Sequence, residues 1–351
     1  MPAMRAWLVR AGRIGERELH NLDMGVVGGG FTEVGDLSVC SERGEVRAAV
    51  EVAWPDDVPG KHINFSSQLW ALRGRIEIGD LAVLPLKTTK QIAIGRVTGD
   101  YYYDDAALPG RRHCRPVEWL RTDISRTAVL QDLLYSMGAF MTVCELSRHD
   151  SAWRIAQLAE TGIDPGARSS VEAPEVSSDL DTDDGALVGF DVEQYSTDRL
   201  SQVIGERFAG HRLADLVAAV LEAEGFVCDV AEEGPDGGID VLAGSGPLGL
   251  DAPRLLVQVK SSPHPVDAPT VRQLHGVVST HGADQGLLVA WGGVNKVAKR
   301  ELENQRFNLR VWDSSALIEA VCRNYAHLPE DLRTELPLKQ IWAVIEPVSD
   351  S

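Results

Sequence analysis

The sequence has few of the features that would mark a secreted, membrane-spanning or zinc-clamped protein. Five cysteines (Cys40, Cys114, Cys144, Cys228 and Cys322) are scattered through 351 residues, with no CxxC pair and no close Cys/His cluster. Such spacing argues against both a disulfide framework and a structural zinc, and predicts reduced thiols. No stretch approaches the roughly 20 apolar residues needed to cross a bilayer. The N-terminus also lacks a basic segment leading into an apolar run, so a cytoplasmic protein with no membrane partner is expected. Positive charge is scarce as well: 34 Lys and Arg stand against 52 Asp and Glu, a net charge of −18. Taken whole, that balance argues against a nucleic-acid partner, because phosphate binding normally leaves a basic footprint.

The distribution of charge changes that reading. Residues 1–162 carry 19 basic and 21 acidic side chains, residues 163–185 carry 1 and 7, and residues 186–351 carry 14 and 24. The first part is nearly neutral and holds a local basic series: Arg73, Arg75, Lys87, Lys90, Arg96, Arg111, Arg112 and Arg115. A mixed solvated surface and a nucleic-acid face both fit it. The length suits two domains rather than one. Ile163 to Gly185, rich in Pro, Gly, Ser and acids and without apolar periodicity, reads as a flexible, self-repelling linker. The expected organisation is therefore a first domain at 1–162, an acidic linker at 163–185 and a second domain at 186–351.

In the first domain the short apolar segments Ala6–Arg10, Val46–Val52, Asp80–Leu86 and Ile92–Thr98 are broken by Gly and Pro, which is β-rich patterning. Ala128–Leu134 reads as helical and Met137–Leu146 is ambiguous, so a small β-barrel with added helices is expected. The second domain differs. Leu213, Leu216, Val217, Val220 and Leu221 recur at helical spacing and end at Gly225. Strands are expected at Phe226–Val230, Gly238–Ala243, Leu255–Ser261, Gly286–Trp291 and Leu309–Trp312. Helices are expected at Thr270–Val278, Lys296–Gln305 and Ser314–Tyr325, and a closing strand at Leu336–Ile345. The whole reads as a multidomain α+β and α/β chain, with an α/β layer architecture in the second domain.

Two pieces of the second domain carry chemistry: Gly234-Pro235-Asp236-Gly237-Gly238-Ile239-Asp240 and Gln258-Val259-Lys260. Turn material between them allows a hairpin that sets Asp240 beside the second strand, and strand alternation puts Gln258 and Lys260 on one face. A carboxylate, an amide oxygen and an ammonium would then converge. Phosphodiester hydrolysis uses such groups: oxygens for a hard cation that polarises the phosphoryl group, and a cation near the attacking water. On spacing alone, Asp240 could instead end a turn and Lys260 be a solvated strand residue. Trp291-Gly292-Gly293, ahead of Lys296, Lys299 and Arg300, could present amides and cations to a phosphate or be a plain strand-to-helix turn.

GPDGGIDV and VQVK, preceded by LADLVAAVLEAEGF and followed by VRQLHG and GLLVAWGG, resemble the Mrr-type restriction endonuclease domain of the PD-(D/E)xK nuclease superfamily over roughly Phe208–Val321. The resemblance implies a restriction-endonuclease-like α/β sandwich and DNA cleavage with Mg²⁺, with Mn²⁺ as the expected substitute. It makes Asp240 the metal-binding aspartate, Gln258 the second ligand position and Lys260 the catalytic lysine; on the residues themselves the Val259 carbonyl could be a further metal ligand. One departure stands out: the family often carries Glu in the first helix, where this chain has Leu213-Ala214. His211 and Asp215 are the possible helix partners there, or simply solvent-facing residues.

In the first domain AWLVR at Ala6–Arg10, GKHINFSSQ at Gly60–Gln68, IGDLAVL at Ile78–Leu84, IAIGRVTG at Ile92–Gly99, Tyr101–Tyr103 and RPVEW at Arg115–Trp119 look like the EVE/PUA-like superfamily of small β-barrels. That resemblance implies recognition of a flipped or modified base. An aromatic cage can offset the few kcal/mol that base extraction costs. The candidates for cage and base edge are Trp7, Asn64, Ser66, Trp70, Tyr101, Tyr103 and Trp119, each of which could equally belong to the core. The expected function is a modification-dependent, type IV-like DNA endonuclease acting on double-stranded DNA, with a homodimer as the expected form because one active site cuts one strand. The rivals are a non-catalytic nucleic-acid or nucleotide sensor on a degenerate nuclease scaffold, and a repair nuclease directed by DNA structure.

Overall fold

A computed structural model describes residues 4–138, 141–168, 192–232 and 238–342. Chain contacts divide it into two units, Met1–Tyr195 with Val344–Ser351, and Ser196–Ala343. Most of the linker segment, and Gly234 to Gly237 of the first chemical motif, lie outside the described residues. Among the described residues no helix is long and apolar enough to cross a membrane.

The first unit runs β1 (Ala6–Val9), α1 (Glu18–Met24), β2 (Val26–Gly28), α2 (Arg43–Ala53), α3 (Pro59–Trp70), β3 (Leu81–Leu86), β4 (Gln91–Val97), β5 (Tyr102–Tyr103), β6 (His113–Ser125), α4 (Gln131–Ser136), β7 (Val143–Glu145) and α5 (Ser151–Thr161). Its sheet has the order β2-β6-β4-β3-β1-β7, with β5 also on β6; β1 and β3 pair in parallel and the other pairs are antiparallel. Irregular register between β4 and β6 helps it curl. The result is a curled half-barrel with β2 and β7 at its ends, which leaves the PUA-like barrel with added helices expected from the sequence unconfirmed.

Both faces of this sheet are covered, which a barrel would not require. Trp7 and Val9 of β1 face the cluster built with Val46, Val50, Leu69 and Leu72, whereas Ala6 and Leu8 face Leu133, Ile155 and Leu158. Two buried faces explain why β1 and β3 are apolar without alternation. The segment Val46–Val52, expected to be a strand, is part of helix α2. Val46 and Val50 are one turn apart and fully buried, while Val52 is 82% exposed. The decisive signal was the reciprocal capping of Glu42 and Glu45 around the helix start. Likewise GKHINFSSQ, with Asn64 and Ser66, lies in α3, opened by Pro59.

Ile163 and Asp164, assigned to the linker, are tied to this unit. Arg154, fully buried on α5, binds Asp164 (2.6 Å) and Asp132 (2.6 Å), and Asp164 also accepts from the Leu130 amide at 3.0 Å.

The second unit contains most of α6 (Val192–Arg207), then α7 (Arg212–Ala223), β8 (Val227–Val230), β9 (Val241–Ser245), β10 (Asp251–Lys260), α8 (Ala268–His281), β11 (Gln285–Ala290), α9 (Lys296–Asn304), β12 (Leu309–Asp313), α10 (Ser314–Asn324) and α11 (Glu330–Glu335). Helix α7 ends where Gly225 takes φ +98. The sheet order is β12-β11-β10-β9-β8, parallel among β10, β11 and β12 and antiparallel at β9 and β8. Helices α7 and α10 pack on one face, with Val257, Leu287 and Val289; α8 and α9 pack on the other, with Leu256, Leu288 and Ala290. This is the expected α/β sandwich. The expected closing strand at Leu336–Ile345 is absent over its described residues, 336–342: Leu336 is buried but Trp342 is 99% exposed.

Candidate active site

The site grows from the way β9 leaves β10. The two strands pair through Val241 opposite Val257. One residue earlier, the Asp240 amide donates to the Val257 carbonyl at 2.9 Å, and the Asp240 carboxylate Oδ2 accepts from the Val259 amide at 2.7 Å. The side chain thus takes the place of the next ladder carbonyl and is fixed against the end of β10. In an extended strand a residue's N–H and C=O point to the same side, so the Val259 carbonyl is directed toward Asp240 as well.

Gln258 and Lys260 alternate with Val259 and lie on the face of Leu256, toward α8 and α9. Gln258 is 2% exposed, and among the described residues its buried Oε1 has no hydrogen-bond partner. Its amide nitrogen fills the space above Gly238: a Cβ built there would lie 2.5 Å from Nε2, and Gly238 holds φ +86. Gly238 is the residue that the sequence reading passed over at this site. The Gly237-Gly238 pair ahead of Asp240 was its visible signal. Lys260 is half-buried and, among the described residues, has no ion-pair partner. Its carbonyl accepts from the Trp291 amide at 2.8 Å, anchoring the strand end that carries it.

The structure therefore brings Asp240, Val259, Gln258 and Lys260 to one end of β10. It does not add the helix candidates in the form of an acidic cluster. His211 precedes α7 and is half-buried, Asp215 is exposed, and Ala214 is buried in the core. Among the described residues no three His, Cys, Asp or Glu side chains group to hold a metal. The glycine turn after β11 is a plain connection. The Gly292 amide donates to the Ser262 carbonyl and the Gly293 amide to the Ala290 carbonyl, while Trp291 packs beside Gly205.

The seven base-binding candidates of the first unit divide. Trp7 is fully buried and donates from Nε1 to Asp80 at 2.9 Å; Ser66 is 1% exposed and donates to the Ile63 carbonyl. Tyr101 is buried, its hydroxyl shared with His113 Nδ1 at 2.8 Å and the Leu37 amide at 3.3 Å, and burial pushes its phenol well up from the ordinary value. These three are core residues, because their polar atoms are spent inside. Asn64 pairs with Gln68, Trp119 donates to the Asn21 carbonyl, Trp70 covers Gly74, and Tyr103 stacks edge-on against His113; all four are half-buried. The sequence reading missed a second aromatic group, Trp54 and Phe65 with ring centres 5.0 Å apart and Lys61 over both. Its members are spread over α3 and the preceding turn, where no strand-like pattern would reveal them.

Comparison with known proteins adds the following. No curated protein matches the chain. The crystal structure of a protein of unknown function, AF1548, is similar at 19% identity over 31% of this chain and 64% of that one, less than two thirds of its length, with a TM-score of 0.25. The MspJI restriction endonuclease in complex with a 27-mer oligonucleotide is similar at 13% identity, covering 90% of this chain and 75% of that one, with a TM-score of 0.32. The DNA modification-dependent restriction endonuclease AspBHI is similar at 12% identity, covering 80% and 74%, with a TM-score of 0.33. Residues 7–147 match a domain of unknown function, DUF8426, which leaves the expected EVE/PUA-like domain unconfirmed. Residues 206–321, which contain the whole candidate site, match the Mrr_cat model, described as a restriction endonuclease.

Proposed function

We propose that this chain is a divalent-metal-dependent DNA endonuclease whose first unit selects the DNA, by a modified base in the reading favoured here. The observation that carries the proposal is that, among the described residues, the buried Gln258 oxygen has no donor, on the same strand end whose Val259 amide anchors the Asp240 carboxylate. A buried acceptor without a donor is costly. Hard cations such as Mg²⁺ take oxygen ligands, so the Gln258 amide, the Asp240 carboxylate and the Val259 carbonyl suit one. When bound, such an ion would polarise the phosphoryl oxygen and acidify a water. Val259's amide holds Asp240 in place, and Gly238 leaves room for the Gln258 side chain. Lys260, on the same face as Gln258 and without an ion-pair partner among the described residues, orients the attacking water or offsets charge at the phosphate. Among the described residues the cradle has one carboxylate with neutral oxygens, a weak set, so Mg²⁺ is expected to act at millimolar rather than micromolar levels.

The assignment of modified-base sensing to the first unit is supported by its half-exposed aromatics, now Trp54, Phe65, Trp70, Tyr103 and Trp119 without Trp7 and Tyr101. Digestion of matched unmodified and cytosine-modified plasmids with Mg²⁺ or Mn²⁺ tests the whole reading. Cutting of the modified plasmid, lost in Asp240→Asn and Lys260→Ala, is expected. Equal cutting of both plasmids refutes the modification dependence and leaves a structure-directed nuclease. A non-catalytic scaffold is favoured by one observation, the buried Ala214 where the first helix could have supplied an acid. That reading wins if DNA is bound but stays intact with every divalent ion.

A further inference from the structure

We propose that Arg17, Arg111 and His20 form a phosphate seat in the first unit, built around the Gly28–Gly30 bend, through which the chain grips the DNA backbone apart from any base contact. The inference deepens the DNA-binding reading above and rests on it for the identity of the ligand.

Three successive glycines hold φ +123, +88 and +80, a backbone path unfavourable to other residues. Gly29 is the close contact: a Cβ there would lie 2.4 Å from the Gly110 carbonyl and 2.9 Å from Arg17 Nε. The missing side chain lets the Arg17 guanidinium lie against the bend, next to the turn that leads into Arg111. Arg17's side chain is 11% exposed; among the described residues its side-chain partner is the exposed Glu16, at 3.3 Å, and its buried Nε–H has no acceptor. Arg111 is half-buried and has no ion pair among the described residues. Burial, and then the charge of Arg111 against the help of Glu16, holds Arg17 below its ordinary value; burial and Arg111 do the same to His20, against Asp104 and Asp23.

Two half-buried guanidiniums that repel one another are an unusual thing to keep in a nearly neutral unit. A phosphate between them would supply the missing acceptor and cancel the repulsion, and guanidinium groups suit its oxygens. The amides of Gly29 and Gly30 are already spent on the His113 and Gly110 carbonyls, so the side chains must do the binding.

The test uses the full chain with Ca²⁺ in place of Mg²⁺ and a fluorescently labelled DNA duplex, read by anisotropy across a salt series. Arg111→Glu is expected to weaken binding by about tenfold or more and to lower the salt slope by about 1. Arg17→Lys, which keeps the charge and removes the Nε–H, is expected to weaken it several-fold with an unchanged slope. Titration with inorganic phosphate and with a nucleoside monophosphate separates the sources: tight, Arg111-dependent binding of the mononucleotide would make a free nucleotide the occupant of the same seat. If both variants bind duplex, phosphate and mononucleotide as the wild type does, the seat is refuted. Lys260→Ala is the control for the catalytic reading: a wild-type chain that never cuts DNA, but loses DNA binding in Arg111→Glu, would sink the nuclease and keep the seat.

Discussion

Replacing Gln258 by Leu separates a functional amide from a packing one, because the two roles predict opposite signs for stability. The side chain sits on the apolar face of Leu256, Leu288 and Ala290, and its Oε1 has no donor. Removing an unsatisfied buried oxygen returns about 1–3 kcal/mol. Leucine has a similar volume, so the shape mismatch should cost less than about 1.5 kcal/mol. The variant should therefore be as stable as the wild type or more so, by about 1 kcal/mol, seen as a higher urea midpoint at unchanged slope. Its nuclease activity should fall by about a hundredfold or more, equivalent to about 2.7 kcal/mol of transition-state stabilisation. Gln258→Glu keeps an oxygen and adds charge. It should be destabilised without divalent ions, regain stability as Mg²⁺ is added, and retain some cutting. A Gln258→Leu protein that loses 2 kcal/mol or more yet cuts normally would refute the reasoning, since the amide would then be serving only the fold.

Gly238→Ala should reduce activity more than it reduces stability, because the added methyl meets the Gln258 amide and the residue must hold a positive φ; parallel nicking and urea assays read the two effects. Arg154→Met leaves the carboxylates of Asp132 and Asp164 without their buried partner and should cost about 3–5 kcal/mol in denaturant unfolding. The same cluster sets an acid limit. Burial raises Asp132, but the Arg154 hydrogen bonds and charge outweigh it and hold the carboxyl below its ordinary value of 3.8. A depressed carboxylate stabilises the fold above the unfolded-state value, so that contribution should fade as pH falls through 3.8 and below, seen as a falling midpoint in a pH series. Trp7→Phe removes the indole donor to buried Asp80 and should cost about 1–3 kcal/mol without altering discrimination between modified and unmodified DNA.

The second unit was legible in the sequence because its signals are local and consistent. Leu213, Leu216, Val217 and Val220 all reach the core at the spacing that predicted α7, and each strand expected between Phe226 and Trp312 is present. Gln258 and Lys260 share a face for the reason alternation gives, and the only surprise at Asp240 is that its carboxylate completes the ladder rather than standing on a face. What the sequence could not carry is the Gln258 oxygen's lack of a donor. That fact depends on every neighbour at once, and no spacing rule contains it.

The first unit was read less well, for a physical reason that bears on how base-sensing residues should be sought. A barrel buries one face of its strands, so an aromatic placed on a strand has even odds of facing inward. A curled sheet with helices on both sides buries both faces, and the odds change: Trp7 on β1 could only become core. Two layers of covering helices also need apolar segments of their own, which is why Val46–Val52 imitated a strand and why Asn64 and Ser66 arrived on α3 instead of on a barrel wall. Residues free to meet a base must then come from outside the sheet's two covered faces: Trp54 at the end of α2, Phe65 on α3 and Tyr103 on the short β5 remain half-exposed. Cations follow the same logic. Arg115, from the basic series, is spent on the Leu72, Arg73 and Gly99 carbonyls. Arg17, outside that series, keeps a donor unspent. In such an architecture the count of basic or aromatic residues says little about binding; the bonds they have left unmade say more.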